Sequence, residues 1–464
     1  MLLEFLSPFT NKRIDEYGGC FANRVRIIKE VYEDVRKKVG SDFPVTARLS
    51  VREGYYGGRD LLDSLEVCQF LEELGIDGLN ISSGMYGDHT NYDIDTYKHG
   101  FVVPYAEEIK RLVNIPVIAT NRITTAGTAE TIIKMGKADF VGMGRTSLAD
   151  PHFPEKVKNG EETTVRHCIN CNLGCYGGVL GPIGCVTCLV NPSVGKEYEL
   201  DYSKTEKPKK IFIAGGGPGG MQAAITSAQK GHDVTLFESK EQLGGQFLSA
   251  AYPPGKGELT LFISWIVQEI KKLNIKVQLS TKLTKEIVEK EKPDIVIIAT
   301  GGIPTIPPIK GIDKAHVYTA EDVLLGKVPT GANVVVCGGG EVGVETAAFA
   351  AQKENGKVTV VEMLSNVFPD LRFKKLFHEY SVDVKVSAKV VEITDDRVIV
   401  DDGTIQTSIE ADTVVLAFGY KPNNTLAEEV TEACADVRVI GGAVRTSNAL
   451  YATREAFEAV RTIE

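Results

Sequence analysis

The sequence predicts an α/β protein: half of a (β/α)8 barrel, then a cysteine-rich segment, then a Rossmann-type domain interrupted by a second one. Three observations predict it. Short apolar strands alternate with helices four times before about residue 150, cysteines cluster between Cys168 and Cys188, and glycine-rich turns recur at 210–230 and 333–353. At 464 residues the chain is too long for one core, and about three domains are expected.

The first alternation pairs a helix over Asn23–Val39 with a strand over Pro44–Ser50. Leu61–Leu74 and Asp77–Ser82 repeat the pattern, as do Tyr105–Leu112 with Ile115–Ala119 and Thr128–Met135 with Ala138–Gly142. Nearly all-apolar strands separated by helices are parallel strands covered on their faces. A closed barrel needs eight such units, and an open doubly wound sheet usually begins on a glycine turn that is missing here. The pattern is that of a barrel entered midway. The polar stretch Tyr202–Pro208 reads as a linker, and Asp294–Gly301 and Asp412–Gly419 read as two similar strands ending in glycine.

Composition narrows the function. With 43% hydrophobic and 25% charged residues the chain has the balance of a globular protein. A net charge of -10 disfavours nucleic acid and anionic membranes as partners, and a small-molecule substrate is expected. Residues 1–6 carry neither the basic start nor the apolar run of a signal peptide, so a cytoplasmic location is expected. Nine cysteines in that setting point away from disulfides.

In the first glycine turn, Gly215 and Gly217 allow a tight bend and close approach to a pyrophosphate, and Gly220 lets the following helix pack on its strand. The helix start then faces phosphate with its positive end. Glu238, 18 residues beyond Gly220, lies at the distance from which an acid accepts hydrogen bonds from a ribose. A second set, Gly338, Gly340, Gly343 and Glu362, repeats the arrangement. Glu362 would repel a 2′-phosphate and Met363 and Leu364 offer no cation, which favours NADH over NADPH. Two dinucleotide turns in one chain fit a flavin site beside a nicotinamide site.

Cys168, Cys171 and Cys175 follow C-x2-C-x3-C, with Cys188 as a distant fourth thiol and Cys185 as another candidate. Four thiolates suit either a [4Fe–4S] cluster or a tetrahedral zinc ion. The three-residue gap resembles compact iron–sulfur loops more than paired zinc knuckles. In the barrel part Arg48, Arg122 and Arg145, the last after Gly142-Met-Gly144, stand at strand ends. Those ends form the active mouth of a barrel and commonly bind phosphate, so a flavin mononucleotide would suit the cations. The plainer alternative pairs these arginines with surface acids.

The combined residues resemble a known family. Phe5–Gly19, Asn23-Arg24, Gly142–Arg145 with Asp150-Pro151, and Cys168 to Cys188 with Asn191-Pro192 are similar to the Old Yellow Enzyme-related iron–sulfur flavoenzymes. Among these are 2,4-dienoyl-CoA reductase, 2-enoate reductase, bile-acid NADH:flavin oxidoreductases and trimethylamine dehydrogenase. The resemblance covers essentially the whole chain and favours iron–sulfur over zinc. It implies cluster ligands Cys168, Cys171, Cys175 and Cys188, and FMN contacts from Arg48, Arg122, Gly144 and Arg145. FAD would be held by Gly215, Gly217, Gly219, Gly220, Glu238, Gly245, Gln246, Thr300 and Gly301. The implied layout is a partial FMN barrel over 1–160, the cluster segment over 161–205, an FAD domain over 206–325, an NADH domain over 326–411 and an FAD return over 412–464.

The implied activity moves electrons from NADH through FAD and the cluster to FMN, reducing an activated C=C bond of an enoate, dienoyl-CoA or steroid enone. Several departures bear on that activity. The family has about four more βα units ahead of this start, and its catalytic tyrosine would fall upstream of Met1. The accompanying histidine aligns near Asp88 and His89, which become the catalytic candidates. The chain is also about ten residues shorter between Glu362 and Val382, and Gly441-Gly442 replaces a Gly-Asp pair. The alternative expectation is an electron-transfer fragment that reduces simple acceptors with NADH. Its partner would be a separate N-terminal half-barrel, or a second copy in a homo-oligomer.

Overall fold

Runs such as Lys210-Ile-Phe-Ile-Ala214 and Asn333-Val-Val-Val-Cys337 become strands because β-branched and aromatic side chains fit a pleated, two-sided core. A computed structural model describes residues 2–84, 99–199, 203–352, 356–368 and 371–463. The chain forms two units, Met1–Asn170 and Cys171–Glu464.

The first unit holds one parallel sheet of β1 (Thr46–Ser50), β2 (Gly78–Ser82), β3 (Val117–Ala119) and β4 (Phe140–Val141), ordered β1-β2-β3-β4. Sequential parallel order is that of barrel staves, each joined to the next by a covering helix. Leu49, Leu79, Ile81 and Val117 from the sheet bury against Val67, Leu71 and Ile109 from those helices. The helix Leu61–Leu74 begins in a reciprocal capping box, with Asp60 accepting from the Asp63 N–H and Asp63 from the Asp60 N–H, and ends on left-handed Gly75. The expected helix over 23–39 is two, Phe21–Arg24 and Arg26–Val39. The helix expected from Tyr105 starts at Val103, because Pro104 fits a first turn whose N–H groups lack intrahelical partners.

The second unit carries two five-stranded parallel sheets whose orders match in four strands and differ in one edge strand. The first is built from β5 (Lys210–Ala214), β6 (Asp233–Phe237), β7 (Lys276–Gln278), β8 (Ile295–Ile298) and, far along the chain, β14 (Asp436–Val439), in the order β14-β8-β5-β6-β7. The other is built from β9 (Val317–Thr319), β10 (Asn333–Cys337), β11 (Lys357–Val361), β12 (Asp383–Lys385) and β13 (Thr413–Leu416), in the order β9-β13-β10-β11-β12. Strand pairing shifts two expected boundaries. β9 joins the second sheet ahead of residue 326, and β13, expected to open the FAD return at 412, sits beside β10. Asp412 fixes that pairing by accepting the N–H groups of Ala332 and Asn333 at 2.8 and 2.9 Å. The return to the first sheet comes only with β14. The first unit also runs to Asn170, past the expected limit at 160. No helix among the described residues is long and apolar enough to cross a membrane.

Candidate functional site

In the first unit a cavity of about 380 Å³ opens at the C-terminal ends of the strands. Arg48 reaches it from β1 and Asn80 from β2, Asn121 and Arg122 follow β3, and Gly144 and Arg145 follow β4. All four residues expected to contact FMN therefore line one cavity, and among the described residues no aspartate or glutamate lines it. Three guanidinium groups converging on one cavity favour an anion there.

Arg48 donates to Asn80 Oδ1 at 2.5 Å and to Ser82 Oγ at 3.0 Å, both neutral partners. This answers the alternative that Arg48 serves a surface acid. Its side chain is exposed at the mouth, yet the surrounding protein desolvates it and lowers its pKa. Asn121 and Arg122 both hold left-handed backbone, φ 71° and 52°. Asparagine tolerates that region, but for Arg122 it costs about 1 kcal/mol or more, and such strain is a mark of functional loops. Their setting is held by Thr120 Oγ1 donating to the Ile81 carbonyl at 2.6 Å and by the Gly100 N–H on the Arg122 carbonyl at 3.3 Å. His99 Nδ1 lies 3.1 Å from that same carbonyl. Asn80, Asn121 and His99 were not singled out in the sequence; asparagines at strand ends were the available signal.

In the second unit the first glycine turn takes the geometry its residues require. Gly215 has φ 107°, and a Cβ there would lie 2.4 Å from the Ala299 carbonyl oxygen. A Cβ on Gly220 would lie 1.9 Å from the Gly215 oxygen, whereas one on Gly217 would meet nothing within 4 Å. The turn is thus closed on its packing side and open at Gly217, where the buried helix Pro218–Gln229 begins. Gly219 packs toward Ala452 of the helix Ala449–Arg461, so its smallness serves helix contact. Buried Glu238 accepts the Gly216 N–H at 2.7 Å, the Lys240 N–H at 2.8 Å and the Ser239 hydroxyl at 3.2 Å. A carboxylate has about four acceptor sites, which leaves one for a ribose hydroxyl. Gly245 backs onto Gly217, Gln246 Nε2 donates to the Gly302 carbonyl at 3.0 Å, and the Thr300 hydroxyl donates to the Asn423 carbonyl beside left-handed Gly301.

The second turn repeats the first. Gly338 has φ 112°, a Cβ on Gly343 would lie 1.9 Å from its oxygen, and Gly340 faces open space. Glu362 accepts the Gly339 N–H at 2.6 Å and the Leu364 N–H at 2.8 Å. A buried ion pair between Lys256 and Glu345 joins the loop before Leu259–Lys272 to the helix that follows this turn.

Cys168 belongs to the first unit and Cys171, Cys175 and Cys188 to the second. Among the described residues no three or more His, Cys, Asp or Glu side chains form a group that could hold a metal ion. The donors themselves suit iron–sulfur chemistry, since all nine cysteines are free thiols. In the second unit the Thr187 N–H donates to the Gly174 carbonyl at 2.9 Å, and a Cβ on Gly174 would lie 2.6 Å from the Thr187 oxygen. Only glycine before Cys175 allows that approach, which brings the Cys175 and Cys188 segments side by side. Cys185 is exposed. Asp88 and His89 lie outside the described residues.

Comparison with known proteins agrees with this geometry. Residues 1–164 match the NADH:flavin oxidoreductase / NADH oxidase family, and residues 209–448 match pyridine nucleotide-disulphide oxidoreductase. The chain is 39% identical to an NADH oxidase of Thermoanaerobacter brockii over 98% of its own length and 72% of that protein's. It is 34% identical to a cinnamate reductase of Clostridium sporogenes, covering all of this chain and 73% of the relative. A solved structure of 2-naphthoyl-CoA reductase with 2-naphthoyl-CoA superposes with a TM-score of 0.92 at 31% identity, over all of this chain and 72% of that one. The chain belongs to the NADH:flavin oxidoreductase / NADH oxidase family.

Proposed function

We propose that the chain is an NADH-dependent flavin oxidoreductase that reduces an activated C=C bond of the enoate, dienoyl-CoA or steroid-enone class. The observation that carries this reading is the cavity at the strand ends, where Arg48, Arg122, Gly144 and Arg145 converge in a chain that also holds two dinucleotide turns. The names of two relatives, cinnamate reductase and 2-naphthoyl-CoA reductase, support the substrate class.

In this reading the arginine cavity holds FMN through its phosphate, and the Gly215–Gly220 turn with Glu238 holds FAD. The Gly338–Gly343 turn with Glu362 orients NADH, and Cys168, Cys171, Cys175 and Cys188 hold a [4Fe–4S] cluster. When bound, the flavins supply hydride chemistry and the cluster supplies one-electron chemistry. The chain's own residues supply charge and position. The three arginines neutralise the phosphate, the open edges at Gly217 and Gly340 admit pyrophosphates to helix starts, and Asp88 or His89 supplies the proton.

Anaerobic purification followed by flavin, iron and acid-labile sulfide analysis, with NADH-dependent turnover of cinnamate, tests the proposal. FMN, FAD and iron with matching sulfide are expected. Zinc without iron overturns the cluster assignment, and NADH-dependent reduction of artificial acceptors without loss of the cinnamate double bond favours the electron-transfer fragment.

A further inference from the structure

A parallel sheet is ordinarily covered on both faces, and its bare edges invite pairing with another chain. Among the described residues the sheet of the first unit has one open face and two open edges, since β1 and β4 each pair on one side only. Its covered face carries Leu49, Leu79, Ile81, Val117 and Val141, which pack under the helices. The residues that alternate with them, Arg48, Asn80, Ile118 and Phe140, stand side by side across the four strands on the other face. There Arg48 is exposed, Phe140 is 58% exposed, and Asn80 and Ile118 are half-buried.

Both edges are apolar as well as open. Before β1, the helix Arg26–Val39 shows Val31, Val35 and Val39 to solvent at the i, i+4, i+8 spacing of a single stripe. One position round from that stripe, the Tyr32 hydroxyl donates to the Gly75 carbonyl at 2.5 Å and Arg36 pairs with Asp77 at 2.6 Å, so other residues anchor the helix. Valine is a mediocre helix former, and three on a solvent face serve contact rather than helix propensity. At the opposite edge Ile133, Met135 and Phe140 are exposed, on or just after the helix Ala126–Lys134 and in β4.

We infer that these edges are an interaction surface for a second copy of this chain, with β4 of each copy beside β1 of the other, so that two four-stranded halves close one eight-stranded barrel. Strand number is the physical reason. A closed (β/α)8 barrel takes eight parallel strands whose inward side chains fill its interior in layers. This sheet supplies four, in sequential parallel order. A two-fold axis along the barrel keeps every strand parallel, pairs both edges at once and sets the Ile118 and Phe140 face of each half against that of the other. Each seam then joins the valine stripe of one copy to Ile133, Met135 and Phe140 of the other. A partner that covered one edge would leave the second bare. The mouth where Arg48, Arg122 and Arg145 converge receives strand ends from both copies, so the far wall of that cavity belongs to the second copy.

Sedimentation velocity of the full chain over a dilution series tests this. Wild type should be a dimer that dissociates on dilution. Val35→Glu and Phe140→Glu, one at each edge, should each sediment as monomers. Association falls by about a hundredfold or more, because a closed pair would bury two unpaired carboxylates at about tenfold or more each. Both side chains are exposed in the single chain, so thermal melts should match wild type. Val31→Ser and Met135→Ser replace either variant that melts lower. Mixing the two glutamate variants should restore part of the dimer, since a mixed pair keeps one seam free of both substitutions. Wild type that stays monomeric at every concentration overturns the inference and points to a separate half-barrel. A dimer that survives both variants, or is lost in only one, also overturns it, as do open-ended polymers in place of a closed pair.

Discussion

Exchanging Gly220 and Gly217 for alanine, one at a time, separates packing from ligand binding within a single turn. A Cβ on Gly220 would lie 1.9 Å from the Gly215 oxygen, and ordinary contact begins at 3.4 Å, so the atoms must part by about 1.5 Å. The carbonyl cannot easily retreat. Gly215 is itself pinned at φ 107° with its own Cβ direction blocked by the Ala299 carbonyl. Overpacking of this kind costs about 1–3 kcal/mol and sometimes more. With backbone on both sides of the clash the upper end applies, about 3 kcal/mol. For a domain of this size that lowers the melting temperature by roughly 6–12 °C. Gly217 differs in both respects: its φ is -76° and a Cβ would meet nothing within 4 Å. Gly217→Ala should therefore melt within about 0.5 kcal/mol of wild type when stripped of flavin. It should nevertheless retain less FAD, because its methyl group occupies the edge a pyrophosphate approaches. Thermal melts of stripped protein and flavin content after desalting read the two effects. A Gly220→Ala protein that melts like wild type, or a Gly217→Ala protein that holds FAD as tightly as wild type, refutes the reasoning.

The repeated turn gives a parallel expectation: Gly340→Ala raises the KM for NADH and leaves flavin content unchanged, as steady-state kinetics with an artificial acceptor would show. Glu345→Ala strands the Lys256 ammonium in a site where its side chain is only 12% exposed. A loss of about 3–5 kcal/mol in urea unfolding is expected, smaller for Glu345→Gln, and an unchanged midpoint would show the pair to be dispensable. Burial pushes the thiols of Cys68 and Cys337 up to about 12, so both should resist iodoacetamide in the folded protein while exposed Cys20 reacts. Their raised pKa values favour the folded state fully below the unfolded thiol value of 9.0, and this contribution declines as pH rises toward 12. A pH series of unfolding midpoints checks the sign, and alkylation of Cys337 in folded protein would contradict its burial.

The sequence alone determined whatever depends on local pattern. The βα alternation, the two glycine turns and the acid after each were legible because tight bends and buried strands demand particular residues at fixed spacing. Gly215 and Gly338 are left-handed where only glycine is easy, and Glu238 and Glu362 each return to the second glycine of their own turn. The sheet to which Thr413–Leu416 belongs was not legible, because a fully buried apolar strand reads the same in either sheet and only hydrogen-bond pairing with Asn333–Cys337 decides. Nor could spacing reveal that Arg48, Arg122 and Arg145 share one cavity, or that Asn170 faces both that cavity and Cys168. Those facts join residues far apart in the chain, and long-range proximity is set by how strands stack and helices cover them. Local chemistry wrote the motifs, and tertiary packing decided which of them meet.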